Sequence, residues 1–242
     1  MEFWKDNSLF ILPSLFTVLN LLLGAISIFL AINEHFIFSA WMIIIAILCD
    51  GLDGKIARWA NCETAFGVQL DSLADLISSG MAPIILIYQV VFKQIFWPYS
   101  WICLLFLFAG TYRLARFNII QKGDRSQGYT GLPIPVAGMS IAAFCLFSDA
   151  FSVKIGWLTI TLFMLFYSIL MISTIPYSWP KLIWHQGRLK FGYSVFLLFC
   201  VTGMIIFTKY TLFPLLCFYI IIGLGKWIIE TLREAWAIKL SK

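Results

Sequence analysis

The chain has 242 residues, of which 61% are hydrophobic and 12% are charged, and its net charge is +5. A soluble domain is closer to half apolar and a quarter charged, so this composition excludes an ordinary soluble domain and indicates an integral membrane protein. The lysines and arginines fall at the ends of apolar segments, as topology signals do, which argues against a nucleic-acid partner. The opening residues, 1–6, lack the basic start and cleavage site of a signal peptide, so we expect the first apolar segment to stay in the protein.

Apolar segments of membrane-spanning length recur along the whole chain. A spanning helix needs about 20 mostly apolar residues. By this measure the sequence predicts an all-α protein with about eight transmembrane helices, in a single membrane domain covering residues 1–242. The predicted spans are residues 12–32, 36–60, 66–92, 95–120, 133–151, 155–175, 191–207 and 212–230. Helices are expected because backbone groups in lipid must be satisfied within their own segment.

The placement of basic residues predicts the orientation of these spans. If the N-terminus is cytoplasmic, the outer loops hold only Lys93, Lys154 and Lys209, and the inner side holds the other fourteen of seventeen basic residues. Cytoplasmic loops are the ones enriched in lysine and arginine. We therefore expect both termini to be cytoplasmic, in the cell (inner) membrane.

Four aspartates lie in one stretch with apolar flanks: Asp50, Asp53, Asp71 and Asp75. Carboxylates at membrane depth are costly unless they are paired, hydrated or bound to cations. The first two are three residues apart and the last two are four apart, so each pair shares a helix face. Oxygen ligands of high charge suit Mg²⁺, Mn²⁺ or Ca²⁺ rather than zinc. The stretch, which the orientation places at the cytoplasmic face, therefore predicts a site for two divalent cations that could hold a diphosphate.

Several polar residues near this stretch are candidates for binding phosphate or an acceptor. The guanidinium of Arg58, five residues after Asp53, fits a phosphate-bearing ligand, and Thr64 can add a hydroxyl. Arg113 and Arg116 lie three residues apart at the cytoplasmic end of the fourth predicted span. Either could pair with a carboxylate or a lipid phosphate, or simply anchor the inner leaflet. Asn118 is a weaker candidate.

The acidic stretch also carries a family signature. The pattern Asp-x2-Asp-Gly-x2-Ala-Arg-x8-Gly-x3-Asp-x3-Asp is matched without a gap by Asp50, Asp53, Gly54, Ala57, Arg58, Gly67, Asp71 and Asp75. On these residues the chain resembles the CDP-alcohol phosphotransferase family. The resemblance implies that fold, a homodimer, and displacement of CMP from a CDP-linked lipid by an alcohol. It implies two divalent metals on the four aspartates, Asp75 as general base, and Gly54, Arg58 and Thr64 at the CDP head.

Sequence outside the signature narrows the acceptor alcohol. Residues 12–20, 69–83, 112–118, 131–135 and 171–177 resemble the branch of the family that joins CDP-diacylglycerol to L-serine. The resemblance implies a catalytic core at roughly residues 10–178 and two additional helices at roughly 191–230. It places Ser14 and Thr17 at the nucleotide, although Ser14 stands where the family usually has asparagine. The implied activity is that of a CDP-diacylglycerol–serine O-phosphatidyltransferase.

Two alternative functions remain open at this point. One is the same chemistry with glycerol 3-phosphate, inositol phosphate or choline as acceptor, because the signature does not choose the alcohol. The other is a divalent-cation transporter, whose path would also use buried carboxylates. A transporter predicts acidic residues spread through the membrane depth, whereas here they cluster at one face and the later spans hold no interior acid before Glu230.

Overall fold

The computed structural model describes residues 8–59, 65–94, 100–123, 131–175 and 208–240, and within these ranges every regular element is helical. The helices are α1 (Ser8–Ile32), α2 (Phe36–Trp59), α3 (Ala65–Asp75), α4 (Ala82–Val90), α5 (Ser100–Gly123), α6 (Ile134–Ala150), α7 (Trp157–Ile172) and α8 (Thr208–Leu240). A π-helical segment, Leu76–Met81, joins α3 to α4, and a short 3-10 helix, Phe92–Gln94, follows α4. The prediction of an all-helical protein is confirmed for this part of the chain.

Four helical segments are long and apolar enough to cross a membrane: Leu15–Ile32, Phe66–Val90, Trp101–Ile119 and Thr208–Arg233. Three of the predicted spans correspond instead to shorter apolar helices: Phe36–Leu52, Ile134–Ala150 and Trp157–Ile172. The predicted span at 191–207 lies outside the described residues. The protein is therefore a helical membrane protein with four candidate spans in its described part, and the predicted number of eight is not confirmed.

The helices pack into a bundle with two connected apolar cores. One core lies between α4, α5, α6 and α7, around the fully buried Phe106, Ile141 and Tyr167. The other joins α1, α2, α4 and α6 to the first half of α8. Large apolar side chains such as Phe29 and Phe108 remain exposed on the outside of the bundle, as expected for surfaces that face lipid.

The first two helices form an antiparallel hairpin that supports the site described below. Glu34 adopts a left-handed conformation (φ 66°), and the N–H of the next residue, His35, donates to the carbonyl of Leu30. This closes α1 and reverses the chain. Two turns earlier, the Oγ atoms of Ser27 and Ser39 lie 2.9 Å apart, so a buried hydrogen bond joins α1 to α2.

The π-helical segment between α3 and α4 has a cause in the sequence. Pro83 has no N–H, and its ring would clash with the carbonyl of Ser79 in a regular α-helix. The helix widens instead, and the N–H of Ala82 donates to the carbonyl of Ile77, five residues earlier. Helix α6 packs closely against the widened turn: a Cβ atom at Gly138 would collide with the Ser79 carbonyl. The turn begins directly after Asp75.

Candidate active site

The buried carboxyl group of Asp75 is the centre of the candidate site. It lies at the end of α3 and is only 6% exposed. The Nδ2 atom of Asn20, on α1, donates to its Oδ1 atom over 3.5 Å. The side chain of Asp50, on α2, is within hydrogen-bonding distance, and Asp71 and Arg113 are close enough to act on its charge. Four helices, α1, α2, α3 and α5, therefore meet at this one carboxyl group.

Three of the four predicted aspartates come together here. Asp50 is on α2 and Asp71 and Asp75 are on α3, and the carboxyl groups of the first two both interact with that of Asp75. Carboxylates at such short range repel one another unless one carries a proton or a cation lies between them. This arrangement places oxygen donors and excess negative charge at one point, which is the chemistry that suits a hard divalent cation.

The metal-ligating geometry itself is only partly visible. Among the described side chains, no group of three or more histidines, cysteines, aspartates or glutamates is arranged so that it could hold a metal ion. The fourth predicted ligand, Asp53, lies on α2, but its side chain is outside the described residues. The oxygen donors therefore fit the predicted cations in chemical type and charge, and the ligand set remains a prediction.

The residues predicted at the CDP head fall mainly outside the described part of the chain. Gly54 and Arg58 are on the last turns of α2 and Ser14 is on α1, all at positions whose side chains are not described. Thr64 lies outside the described residues altogether. Thr17 is described: it is 6% exposed and precedes Asn20 by one helical turn, so both point to the same side of α1.

Arg113 faces the site from α5. Its side chain is 7% exposed, its guanidinium carbon lies 5.3 Å from the centroid of the Phe117 ring, and its charge acts on Asp75. A buried guanidinium beside a buried carboxyl group can orient an anionic ligand group, because its donors form a planar fork. Arg113 is therefore placed where an acceptor bearing a carboxylate could reach it.

Arg116, one turn further along α5, has different partners. Its guanidinium donates to the carbonyl oxygens of Met171, Ile172 and Ser173, over 3.3, 2.9 and 2.9 Å. These carbonyls lie at the end of α7, where no intrahelical donor is available to them. Gly131, in a left-handed conformation (φ +80°), packs so closely that a Cβ atom there would meet the Arg116 guanidinium. In the structure Arg116 joins α5, α7 and the start of the 131–133 segment.

Asn118 links α5 to α3 beside the aspartates. Its Nδ2 atom donates to the Oγ atom of Ser72 over 3.0 Å, and Ser72 also donates to the carbonyl of Val68. Ser72 directly follows Asp71. The contact therefore holds the part of α3 that carries Asp71 against α5. The predicted role of Asn118 in binding serine or phosphate stays a prediction.

Comparisons with known proteins identify the family of this chain. The model of the CDP-alcohol phosphatidyltransferase family matches residues 10–175, which is more than half of the chain. The chain belongs to the CDP-alcohol phosphatidyltransferase family. Over 230 residues it is 32% identical to a CDP-diacylglycerol–serine O-phosphatidyltransferase of Helicobacter pylori, covering 92% of this chain and 93% of the relative. It is also 37% identical, over 177 residues and 72% of each chain, to an archaetidylserine synthase of Methanothermobacter thermautotrophicus.

The family match ends before α8, yet this helix packs against the matched part. Leu212 and Leu216 lie in the core shared with α1, α2 and α6, and Tyr219 is close enough to Arg113 for the two to interact electrostatically. The last helix of this CDP-alcohol phosphatidyltransferase therefore supports the helices that carry the site.

Asn20 was not among the predicted site residues. It belongs to residues 12–20, which carry part of the family resemblance, but no role was assigned to it. A polar side chain in the middle of an apolar helix is a signal for a functional or helix-pairing contact. Its partner, Asp75, is 55 residues away in sequence, so only the fold could identify the pair.

Proposed function

We propose that this protein transfers the phosphatidyl group of CDP-diacylglycerol to the hydroxyl group of L-serine, giving phosphatidylserine and CMP. The observation that carries the proposal is the meeting of Asp50, Asp71 and Arg113 at the buried carboxyl group of Asp75. Membership of the CDP-alcohol phosphatidyltransferase family supports the reaction type. The names of the relatives, one a serine O-phosphatidyltransferase and one an archaetidylserine synthase, support serine as acceptor.

Asp75 acts as the general base in this proposal. Its carboxylate takes the proton of the serine hydroxyl, and the serine oxygen attacks the phosphorus atom that bears diacylglycerol. A new P–O bond forms to serine as the P–O bond to CMP breaks, so the phosphodiester is made in a single in-line displacement. A base must lie within hydrogen-bond reach of the proton it removes. Asn20 helps to keep Asp75 in place for this by donating to its Oδ1 atom.

The four aspartates Asp50, Asp53, Asp71 and Asp75 would hold two divalent cations, Mg²⁺ or Mn²⁺, with Ca²⁺ as a further candidate. Bound there, such cations would supply positive charge to the diphosphate and to the leaving CMP. Around them, Gly54, Arg58, Thr64, Ser14 and Thr17 are assigned to the CDP head. Of these five, Thr17 is the one whose side chain is described, and its burial on the Asn20 side of α1 is compatible with that role.

Arg113 is assigned to the carboxylate of serine. It is buried and acts on Asp75, whereas the guanidinium of Arg116 already donates to three carbonyls at the end of α7. A charged hydrogen bond of this kind both attracts the acceptor and fixes its orientation. We further propose that the protein works as a homodimer in the cell (inner) membrane, with both termini and the site facing the cytoplasm, as the distribution of basic residues predicts.

An acceptor screen tests the proposed function. The purified protein, reconstituted with CDP-diacylglycerol and Mg²⁺ or Mn²⁺, is given serine, glycerol 3-phosphate, inositol phosphate or choline in separate reactions, and CMP and the lipid product are measured. Of the four acceptors, we expect only serine to give CMP release and a lipid product, which should be phosphatidylserine. Product from glycerol 3-phosphate and none from serine would contradict the serine assignment. Uptake of Mn²⁺ into sealed vesicles without CMP release would favour the transporter.

A further inference from the structure

Only one of the two polar atoms in the side-chain amide of Asn20 forms a hydrogen bond within the described part of the chain. The residue is fully buried in α1. Its Nδ2 atom donates to Asp75 over 3.5 Å, while its Oδ1 atom, also buried, receives no hydrogen bond from any residue that the structure describes. A buried carbonyl oxygen without a donor costs free energy, so such atoms call for an explanation.

The orientation of this amide follows from its neighbour. An ionised carboxylate can only accept hydrogen bonds, so Asn20 must turn its NH₂ group towards Asp75. The opposite orientation would set the amide oxygen against the carboxylate oxygen. The carbonyl is thereby held beside the proposed general base, where a ligand that brings a donor could use it.

We infer that the Oδ1 atom of Asn20 accepts a hydrogen bond from the ammonium group of the acceptor, and so helps the protein to select an amino alcohol that also carries a carboxylate. The inference rests on the proposed function. Serine offers two kinds of donor, its hydroxyl and its ammonium. The single hydroxyl proton goes to Asp75, which leaves the ammonium for the neighbouring carbonyl.

The charges around the site favour the same orientation of serine. The carboxyl groups of Asp50, Asp71 and Asp75 attract an ammonium, and the guanidinium of Arg113 attracts a carboxylate. Serine would therefore lie with its ammonium towards Asn20 and its carboxylate towards Arg113. Glycerol 3-phosphate and inositol phosphate carry no ammonium and would leave the buried carbonyl without a donor, which disfavours them.

Two acceptors that differ only in the amino group test the inference. 3-Hydroxypropanoate is serine without its ammonium, and kcat/KM is measured for both acceptors with the wild type and with Asn20→Leu, which keeps the shape of the side chain but cannot accept a hydrogen bond. We expect the preference for serine to fall by about tenfold to a hundredfold, the effect of losing a hydrogen bond to a charged group. For an acceptor that turns over too slowly, its inhibition constant against serine gives the same comparison.

A second variant separates the two halves of the amide. Asn20→Asp keeps an acceptor oxygen but loses the donor to Asp75, so turnover should fall for both acceptors while the preference for serine is kept. Equal losses for both acceptors in Asn20→Leu, with the preference unchanged, would overturn the inference and leave Asn20 as a residue that only positions Asp75.

A matched control removes a buried polar group elsewhere on the same helix. Ser27→Ala deletes the hydrogen bond to Ser39 and should change neither the preference nor the KM for serine. Folding of each variant is checked by gel filtration and thermal unfolding in detergent, and Asn20→Ala replaces the leucine variant if the latter does not fold. A wild-type protein that makes no product from serine would refute the proposed function itself, before any variant is compared.

Discussion

The middle of α1 and the turn that follows it show two opposite ways of placing acidic residues in a membrane protein. Near the turn that follows α1, Glu34 pairs with Lys93 over 2.9 Å, and on the same side of the bundle Asp149 pairs with Lys209 over 3.4 Å. All four of these side chains are at least 40% exposed. Around Asn20, 12 residues or about 18 Å before the end of α1 at Ile32, the carboxyl groups of Asp50 and Asp71 approach that of the buried Asp75.

The two groups of acidic residues differ in their effect on stability: the exposed pairs cost little, whereas the cluster around a buried carboxyl group is destabilising. An exposed ion pair is solvated and contributes little to stability. Carboxyl groups that gather around a buried one such as Asp75 repel it, and the buried one has lost its solvation, so such a cluster costs stability. The proposed cations and substrates would account for the cluster around Asp75, whereas the exposed pairs need no ligand to account for them.

The largest expected effect comes from neutralising the central carboxyl group. Asp75→Asn keeps the shape of the side chain and removes its ability to take a proton, so we expect kcat to fall by at least about a hundredfold. Binding of CDP-diacylglycerol should be largely retained. The matched control is Asp149→Asn, the same change in an exposed pair, which should leave turnover within about twofold. Wild-type turnover in Asp75→Asn would remove this residue from the role of base.

Removal of divalent cations should have the next largest effect. With EDTA, the proposed two-cation site predicts loss of CMP release, because the diphosphate and the aspartates are then all negative. Added Mg²⁺ or Mn²⁺ should restore it. Asp71→Asn should raise the cation concentration needed for half-maximal activity, whereas Glu34→Gln should not. Full activity in EDTA would contradict the assignment of the aspartates as metal ligands.

Substitution of the two arginines of α5 should have different effects, on serine binding for Arg113 and on stability for Arg116. Arg113→Gln should raise the KM for serine about tenfold to a hundredfold with a smaller change in stability, since a charged hydrogen bond to the acceptor is lost. Arg116→Gln should lower the free energy of unfolding by about 1–3 kcal/mol, because three carbonyls at the end of α7 lose their donors. The KM of Arg116→Gln for serine should stay near that of the wild type. A raised KM in Arg116→Gln together with a loss of stability in Arg113→Gln would show that the two roles are the other way round.

The smallest effect concerns the close packing behind the site. Gly138→Ala would push a Cβ atom into the Ser79 carbonyl of the π-helical segment, so we expect a loss of about 1–3 kcal/mol in the free energy of unfolding. Gly225→Ala on α8, where a Cβ atom would meet nothing within 4 Å, is the control and should not destabilise the protein. Thermal unfolding in one detergent compares the two. Equal stability of both variants would show that the segment can shift without cost.

Much of the architecture could be predicted because it depends on local sequence. The apolar runs indicate the helices. The spacing within each pair of aspartates, Asp50 with Asp53 and Asp71 with Asp75, already suggests that α2 and α3 present carboxyl groups to each other. The π-helical turn is also local in origin, since it lies where the Pro83 ring would otherwise meet the Ser79 carbonyl, although no pattern in the sequence shows how the helix accommodates the proline.

The rest depends on contacts between distant parts of the chain. Arg113 and Arg116 share a face of α5 by spacing, and only the packing of α7 against α5 separates their roles. Asn20 could not be paired with Asp75 from periodicity, because the partner lies on another helix. The predicted number of eight spans is not confirmed among the described helices, because α6 and α7, with 17 and 16 residues, are shorter than the about 20 that a span usually needs.

We propose that the carboxyl cluster around Asp75 serves the transfer of a phosphatidyl group to serine. The most direct measurement is serine-dependent CMP release from CDP-diacylglycerol by the reconstituted protein, with wild type and Asp75→Asn compared in the same membranes. We predict that CMP and phosphatidylserine appear together, in equal amounts, with the wild type and serine. We predict neither product with the variant. CMP release that does not depend on serine, or equal release by the variant, would contradict this role of the Asp75 cluster.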